Sequence, residues 1–396
     1  PDYQRGYSWE EPQLSDFWMD LSELPNSKDH YVGVLNVDRV DEENIKDLSD
    51  QWIVKERKFN PFFVVDGQQR LTTCIIAIKA MLDSGEDLGE EEADDIIKKY
   101  LWLVRKSDGA KICLFGYEKD NPSFEFWKSK ILGIENENND DVQTTYTRNL
   151  KKAYDFFAKK IAEKQAPVKS LYTKLTSQFK FNFYEIDPSF DVHVTFETMN
   201  NRGKDLSKLE LLKNRFIYLS SLLSHQHNSL SDMQISELEI ESLRNEINNV
   251  WKTIYEYLGK SAYITLKDDD FLKHHWAMYF GFKKEQADEF AKFLLDAHFT
   301  ARNLIAGKIK IADIKEYIAS LKSSIKNWYK VLACDTNLKD EHAVLGNLNV
   351  IEHRFFMPLI LAGYSKIPDS GNPDFKDVVD LLHEIENFSF LAFGVY

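Results

Sequence analysis

The chain has 396 residues, of which 43% are hydrophobic and 13% aromatic, enough to build the cores of two domains. Its 64 acidic against 50 basic residues leave a formal charge of −14, which disfavours the broad basic face of a non-specific DNA binder, so that any DNA contact is expected to be a local patch. The cysteines Cys74, Cys113 and Cys334 are too scattered for a disulfide framework or a CxxC metal site, no apolar run approaches the roughly 20 residues that span a bilayer, and no leader opens the chain; a reducing cytoplasm is the expected setting.

The chain starts without Met inside a patterned segment, Pro1-Asp2-Tyr3-Gln4-Arg5-Gly6-Tyr7-Ser8-Trp9, which predicts that residues precede it. Aromatics alternate there with an amide, a guanidinium and a glycine, a pattern that no solvent-facing loop requires. Its rings either line the core or stack on a base. Leu14, Phe17, Trp18, Leu21 and Leu24 then recur at helical spacing, with Pro12 where a first turn tolerates it. His30 to Val40 and Gln51 to Lys58 read as strands of a small sheet leading into Phe62.

The stretch Phe62-Phe63-Val64-Val65-Asp66-Gly67-Gln68-Gln69-Arg70-Leu71-Thr72-Thr73 predicts a short buried strand that turns at Asp66-Gly67 and restarts as a helix, with Leu71, Cys74, Ile75, Ile78 and Leu82 on one face. A helix that begins straight after a buried strand turns unsatisfied N–H groups toward the space above the strand end, which favours an anion. Arg70 adds a planar fork suited to phosphate, and Gly67 permits a positive φ or close approach to a ligand. Asp66 suits Mg²⁺ or a water beside that phosphate, and Gln68 and Gln69 suit the positioning of an attacking water. The alternative is purely local: Asp66 is an N-cap, Gln69 closes a capping box and Arg70 is a surface charge. An arginine on a first turn opposes the helix dipole by roughly 0.3–1 kcal/mol, so Arg70→Ala is expected to leave stability within about 1 kcal/mol.

Asp83 to Asp95 is acid-rich with glycines and predicts a mobile surface loop, as does Glu135 to Asp141. Between them Lys111 to Tyr117 predicts a strand and Pro122 to Leu132 a helix. Tyr146, Leu150, Tyr154, Phe157 and Ile161 mark a further helix, and Phe179 to Ile186 a half-buried strand stopped by Asp187-Pro188. Residues 189–199 are expected to be helical, Asn200 to Leu206 a loop turning on Gly203, and Ser207-x-x-Glu210 a capping box. By itself Asn200-Asn201-Arg202-Gly203-Lys204 is equally a helix C-cap.

Three segments, Tyr3-Gln4-Arg5-Gly6-Tyr7 with Trp9, Asp66-Gly67-Gln68-Gln69-Arg70-Leu71-Thr72-Thr73, and Phe196-Glu197-Thr198-Met199-Asn200-Asn201-Arg202-Gly203-Lys204-Asp205-Leu206-Ser207, together resemble the N-terminal domain of GmrSD-type, modification-dependent restriction proteins. The resemblance implies an α+β fold, with a ParB/sulfiredoxin-like α/β domain over residues 1–215 and an all-α domain over 216–396. It implies nucleoside triphosphate hydrolysis linked to DNA restriction. It assigns catalysis to Asp66, Gln68, Gln69 and Arg70, with Asp66 on Mg²⁺. Nucleotide binding falls to Gln4, Arg5, Tyr7, Gly67, Thr72, Thr73, Asn200 and Arg202, with Asn200 and Arg202 facing the same pocket as Asp66 and Arg70. Implied partners are a nucleoside triphosphate, modified DNA through a local patch, and a nuclease domain or subunit, with no membrane. A binding module that recognises modified DNA and hydrolyses nothing is the alternative.

From Leu211 onward helical periodicity dominates, over 211–224, 233–259, 268–280, 285–305, 311–332, 342–364 and 374–390. The boundary near 215 is expected to run through a continuous helix. Adjacent His274 and His275 point about 100° apart on a helix, which disfavours a shared metal, so Asp268-Asp269-Asp270 reads as an acidic helix start. His342, Asn347 and His353 evoke an HNH nuclease but fall in a helical pattern without its strands. No GxxxxGK[ST] loop occurs, so any triphosphate site is of another type.

Overall fold

In the computed structural model the described residues are 6–41, 45, 48–118, 121, 123–134, 144–164, 166–187, 206–225, 237–261, 264, 266–281, 289–350, 354–366 and 375–393. The third motif through Asp205, including Asn200 and Arg202, lies outside them, as do Gln4, Arg5, the acidic insert 135–141 and the helix expected over 189–199. Contacts group the chain into two units, residues 1–205 and 206–396; position 215 falls inside the helix Lys208–His225 of the second unit.

The first unit is built on a three-stranded mixed sheet in the order β2-β1-β5, where β1 is His30–Arg39, β2 is Phe62–Asp66 and β5 is Phe179–Glu185. β1 runs antiparallel to β2, with Asn36 opposite Asp66, and parallel to β5, with Leu35 opposite Phe183. The β1–β5 register shifts between Tyr31 and Gly33. Helices α1 (Glu11–Glu23), α3 (Gln68–Asp83) and α6 (Thr145–Ala162) build the core with the first part of the sheet. In α3 every residue from Thr72 to Met81 is buried, so it is a core helix rather than a surface one. Phe17 packs edge-on against both Phe157 and Phe179, tying α1 to α6 and β5. Each fully buried apolar side chain of this kind contributes roughly 1.5–3 kcal/mol.

The strand expected over Gln51 to Lys58 is instead a helix, α2 (Leu48–Lys55). Adjacent Ile53 and Val54 are both buried, and Ile53 packs with Leu103 and Ile112. The loop expected over Asp83 to Asp95 ends early: α4 (Ala93–Tyr100) takes Asp94 and Asp95 into its first turn, where carboxylates suit the positive helix end. Lys111–Cys113 is β4, shorter than expected, and pairs with β3 (Trp102–Val104). Ser123–Phe126 is α5, continued by a π-type turn to Ile131, and α7 is Val168–Thr173.

Every regular element among the described residues of the second unit is a helix, and its first helix opens on the expected box: Ser207 N–H donates to Glu210 Oε2 at 2.9 Å and Glu210 N–H to Ser207 Oγ at 3.2 Å. Asp269 Oδ1 accepts from Lys208 N–H at 2.6 Å and Leu209 N–H at 3.3 Å, so the acidic start of Asp268–Phe280 also caps a neighbouring helix. His275 is fully buried, its Nε2 3.0 Å from Ser320 Oγ, and burial pulls its pKa down to about 3. Two long helices of the sequence pattern are broken. The 285–305 stretch divides at Thr300, whose side chain caps Ala301–Ile305. The 342–364 stretch divides into Lys339–Val350 and Met357–Ser365, because Pro358 fits a first turn and not a helix interior. His342 and Asn347 sit in the first of these helices, with Val344, Leu345 and Leu348 buried, and His353 lies outside the described residues. No helix is long and apolar enough to cross a membrane among the described residues.

Candidate functional site

β2 delivers Asp66 to the foot of α3, and Gly67 makes the turn with φ +93°. That conformation is left-handed and suits glycine, and a Cβ there would lie 2.9 Å from Val34 O and 3.0 Å from Leu35 Cδ1. The close approach at Gly67 is therefore to β1. Gly67 is itself the N-cap, Leu71 N–H donating to its carbonyl at 3.0 Å, and no side chain caps the helix. Neither half of the local alternative, an Asp66 cap closed by Gln69, is realised. Among the described residues the N–H groups of Gln68, Gln69 and Arg70 have no acceptor, so the positive end of α3 is open.

Arg70 bends back from this turn onto β1. Its Nη1 donates to Val32 O at 3.3 Å and its Nη2 to Val34 O at 3.0 Å and to Asp66 Oδ2 at 3.3 Å. Carbonyls two residues apart on a strand point to the same edge, so one fork reaches both Val32 O and Val34 O across Gly33, where φ is +133° and no side chain stands in the way. The guanidinium and the Asp66 carboxylate are each 26% exposed, so both remain within reach of solvent.

Gln69 engages the N-terminal motif. Its Oε1 accepts from Ser8 N–H at 2.8 Å and its Nε2 donates to Gly6 O at 3.1 Å, the pairing that a neighbouring strand would give. Tyr7, between them, is completely buried, with its hydroxyl 2.7 Å from Thr73 Oγ1. Thr73 donates in turn to Gln69 O at 2.8 Å. Burial pushes the Tyr7 phenol well above its ordinary range, and the Cys74 thiol up to about 12, so neither ionises. Gly6 is packed on Tyr146, and a Cβ there would lie 2.3 Å from the ring.

The structure thus places Tyr7, Gln69 and Thr73 in one hydrogen-bonded set and Asp66 and Arg70 in another, the two joined through the turn at Gly67. Gln68 stands at the first helical position, half-buried, with no side-chain hydrogen bond among the described residues. Thr72 is fully buried on the core side of α3. Two contributors were not anticipated. Asn149 of α6 donates from Nδ2 to Tyr7 O at 3.3 Å, and its signal was a lone amide beside Tyr146, Leu150 and Ala153 on an apolar helix face. Gly33 had no signal beyond being a glycine inside a strand pattern.

No group of three His, Cys, Asp or Glu side chains suited to a metal occurs among the described residues. Mg²⁺ at a nucleotide is commonly held by one or two carboxylates together with phosphates and waters, and Asp66 offers one partly exposed carboxylate, whose Oδ2 also accepts from Arg70 at 3.3 Å.

Residues 1–217 match the family described as GmrSD restriction endonuclease, N-terminal domain. A search of curated proteins gives no match to the chain.

Proposed function

The chain belongs to the GmrSD restriction endonuclease family through its N-terminal domain, and from that premise we propose that this unit binds and hydrolyses a nucleoside triphosphate to control DNA cleavage by a nuclease domain or subunit. The observation that carries the proposal is the open start of α3, where three N–H groups without acceptors among the described residues stand beside the half-exposed pair Asp66 and Arg70. Such a helix start stabilises phosphate charge by its dipole and its donors together. Asp66 would hold Mg²⁺, which when bound neutralises phosphate charge. Gln68 would orient the attacking water, and so would Gln69 with the lone pair and the hydrogen that its backbone bonds leave over. Arg70, with Arg5 and Arg202 of the outer motifs, would balance phosphate charge, and Gln4 and Asn200 would complete the pocket. Tyr7, Thr72 and Thr73 are buried, so they would shape the site from behind while Gly67 sets the turn.

A second reading is favoured by one observation, that Arg70 already serves two carbonyls and a carboxylate. The same pocket would then recognise modified DNA without hydrolysis. Phosphate release from GTP, CTP, UTP and ATP, with and without modified DNA, separates the two when the intact protein is compared with Asp66→Ala. Turnover lost in the variant supports hydrolysis. Absence of turnover with every nucleotide, alongside retained DNA affinity, leaves the binding module.

A further inference from the structure

We propose that Gln69 is a positioning residue, a side-chain clamp that fixes the N-terminal motif to the first turn of α3 and so couples the two motifs into one unit. A single carboxamide satisfies both the carbonyl of Gly6 and the N–H of Ser8, while Asn149 takes the carbonyl of Tyr7 between them. Consecutive backbone groups of this segment are thus bound by side chains, which replaces the ladder that a strand would supply. Gly6 has no room for a side chain against Tyr146, and the Tyr7 ring is sunk in the core with its hydroxyl on Thr73, one turn along α3 from Gln69. The Thr73 hydroxyl closes the circuit on the Gln69 carbonyl. A shift of the first turn of α3 must therefore carry Gly6 to Ser8 with it, and the reverse.

Glutamine is the residue this geometry requires, because the clamp needs one acceptor and one donor on the same planar group. Ionised glutamate keeps the acceptor for Ser8 N–H and sets a negative oxygen against Gly6 O. Protonated glutamate regains a donor there. Gln69→Glu is therefore a clamp that opens at high pH and closes at low pH in one folded sample.

The test is hydrogen exchange at the Ser8 amide in wild type, Gln69→Glu and Gln69→Ala, corrected for intrinsic pH dependence. Wild type should keep its Ser8 protection throughout. Gln69→Ala should lose at least about tenfold of it at every pH, and Gln69→Glu, whose carboxylate is pushed off by Gly6 O, should lose it near about pH 8 and regain it only as pH falls through the ordinary glutamate range near about 4.3. Protection unchanged in both variants would overturn the clamp. A second arm rests on the hydrolytic function proposed above: turnover of Gln69→Glu relative to wild type should rise as pH falls, in step with Ser8 protection. Were Gln69 acting on the attacking water alone, a carboxylate would sustain turnover at high pH, and that result also overturns the positioning role. If wild type turns over no nucleotide, the hydrolytic function fails and Ser8 protection alone decides the clamp.

Discussion

The guanidinium of Arg70 occupies the place where a side chain at position 33 would stand: a Cβ on Gly33 would lie 1.9 Å from Nη1. The glycine at φ +133° and the arginine are two halves of one arrangement, in which the space left by the glycine lets a single fork reach Val32 O and Val34 O. Gly33→Ala combines an unfavourable backbone with this overlap, and is expected to destabilise the protein by about 2–4 kcal/mol in urea unfolding. In the Arg70→Ala background the overlap is gone, so the same change should cost at least about 1 kcal/mol less, a non-additivity that a double-mutant cycle reads directly. Additive values would mean that the two residues are independent.

Arg70 alone bears on stability more than its place on a first turn suggests. Hydrogen bonds to a charged group contribute roughly 1.5–3 kcal/mol when shielded, and partial exposure lowers that, so Arg70→Ala is expected to cost about 1–2 kcal/mol. The dipole argument by itself allowed less than about 1 kcal/mol, because it omitted the carbonyls of β1. Arg70→Lys should not restore the loss, since an ammonium lacks the planar fork that spans Val32 O and Val34 O. Thermal unfolding of the three proteins decides this, and repeating it with nucleotide shows whether Arg70 also bears on the ligand, whose binding raises the midpoint.

His275 makes stability fall with acid. In the folded protein it stays neutral down to about pH 3, whereas in the unfolded chain it protonates near its ordinary value of about 6.5. Between those values the unfolded state binds the extra proton, so this contribution is fully present above about pH 6.5 and declines below it, by up to about 1.4 kcal/mol per pH unit. The difference in urea stability between wild type and His275→Gln, measured at pH values between these limits, should shrink as pH falls. A constant difference would show that His275 does not titrate on unfolding.

Asp269 joins two helices of the second unit through the N–H groups of Lys208 and Leu209. Asp269→Ala should cost about 1–2 kcal/mol, as loss of a helix cap does. Amide exchange at Lys208 and Leu209 should rise together, and protection at both unchanged would refute the capping role.

If the protein contacts DNA, its charge of −14 limits the number of phosphates neutralised. The slope of log affinity against log salt is expected to be shallow, roughly −2 to −5. A slope near about −10 would contradict a contact confined to a local patch.

The sequence by itself determined what depends on periodicity and on local backbone chemistry. The alternating run of β1, the apolar run of β2 and the spacing of α1, α3 and α6 named their own elements, because burial of one face at a fixed repeat is a one-dimensional signal. The box Ser207-x-x-Glu210 was legible for the same reason, its partners being three residues apart. α2 was misread because Trp52-Ile53-Val54 is too short an apolar run to declare its period, and its burial against Leu103 and Ile112 decided for a helix. The motif around Asp66 was visible, but what its residues touch was not. Gln69 meets Gly6 and Ser8 more than sixty positions away, Arg70 meets β1, and Asn149 reaches Tyr7 from α6. A side chain's polar groups take the nearest complementary partner that the packed chain offers, and only the register of β1 beside β2 and the docking of α6 on α3 decide which partner that is.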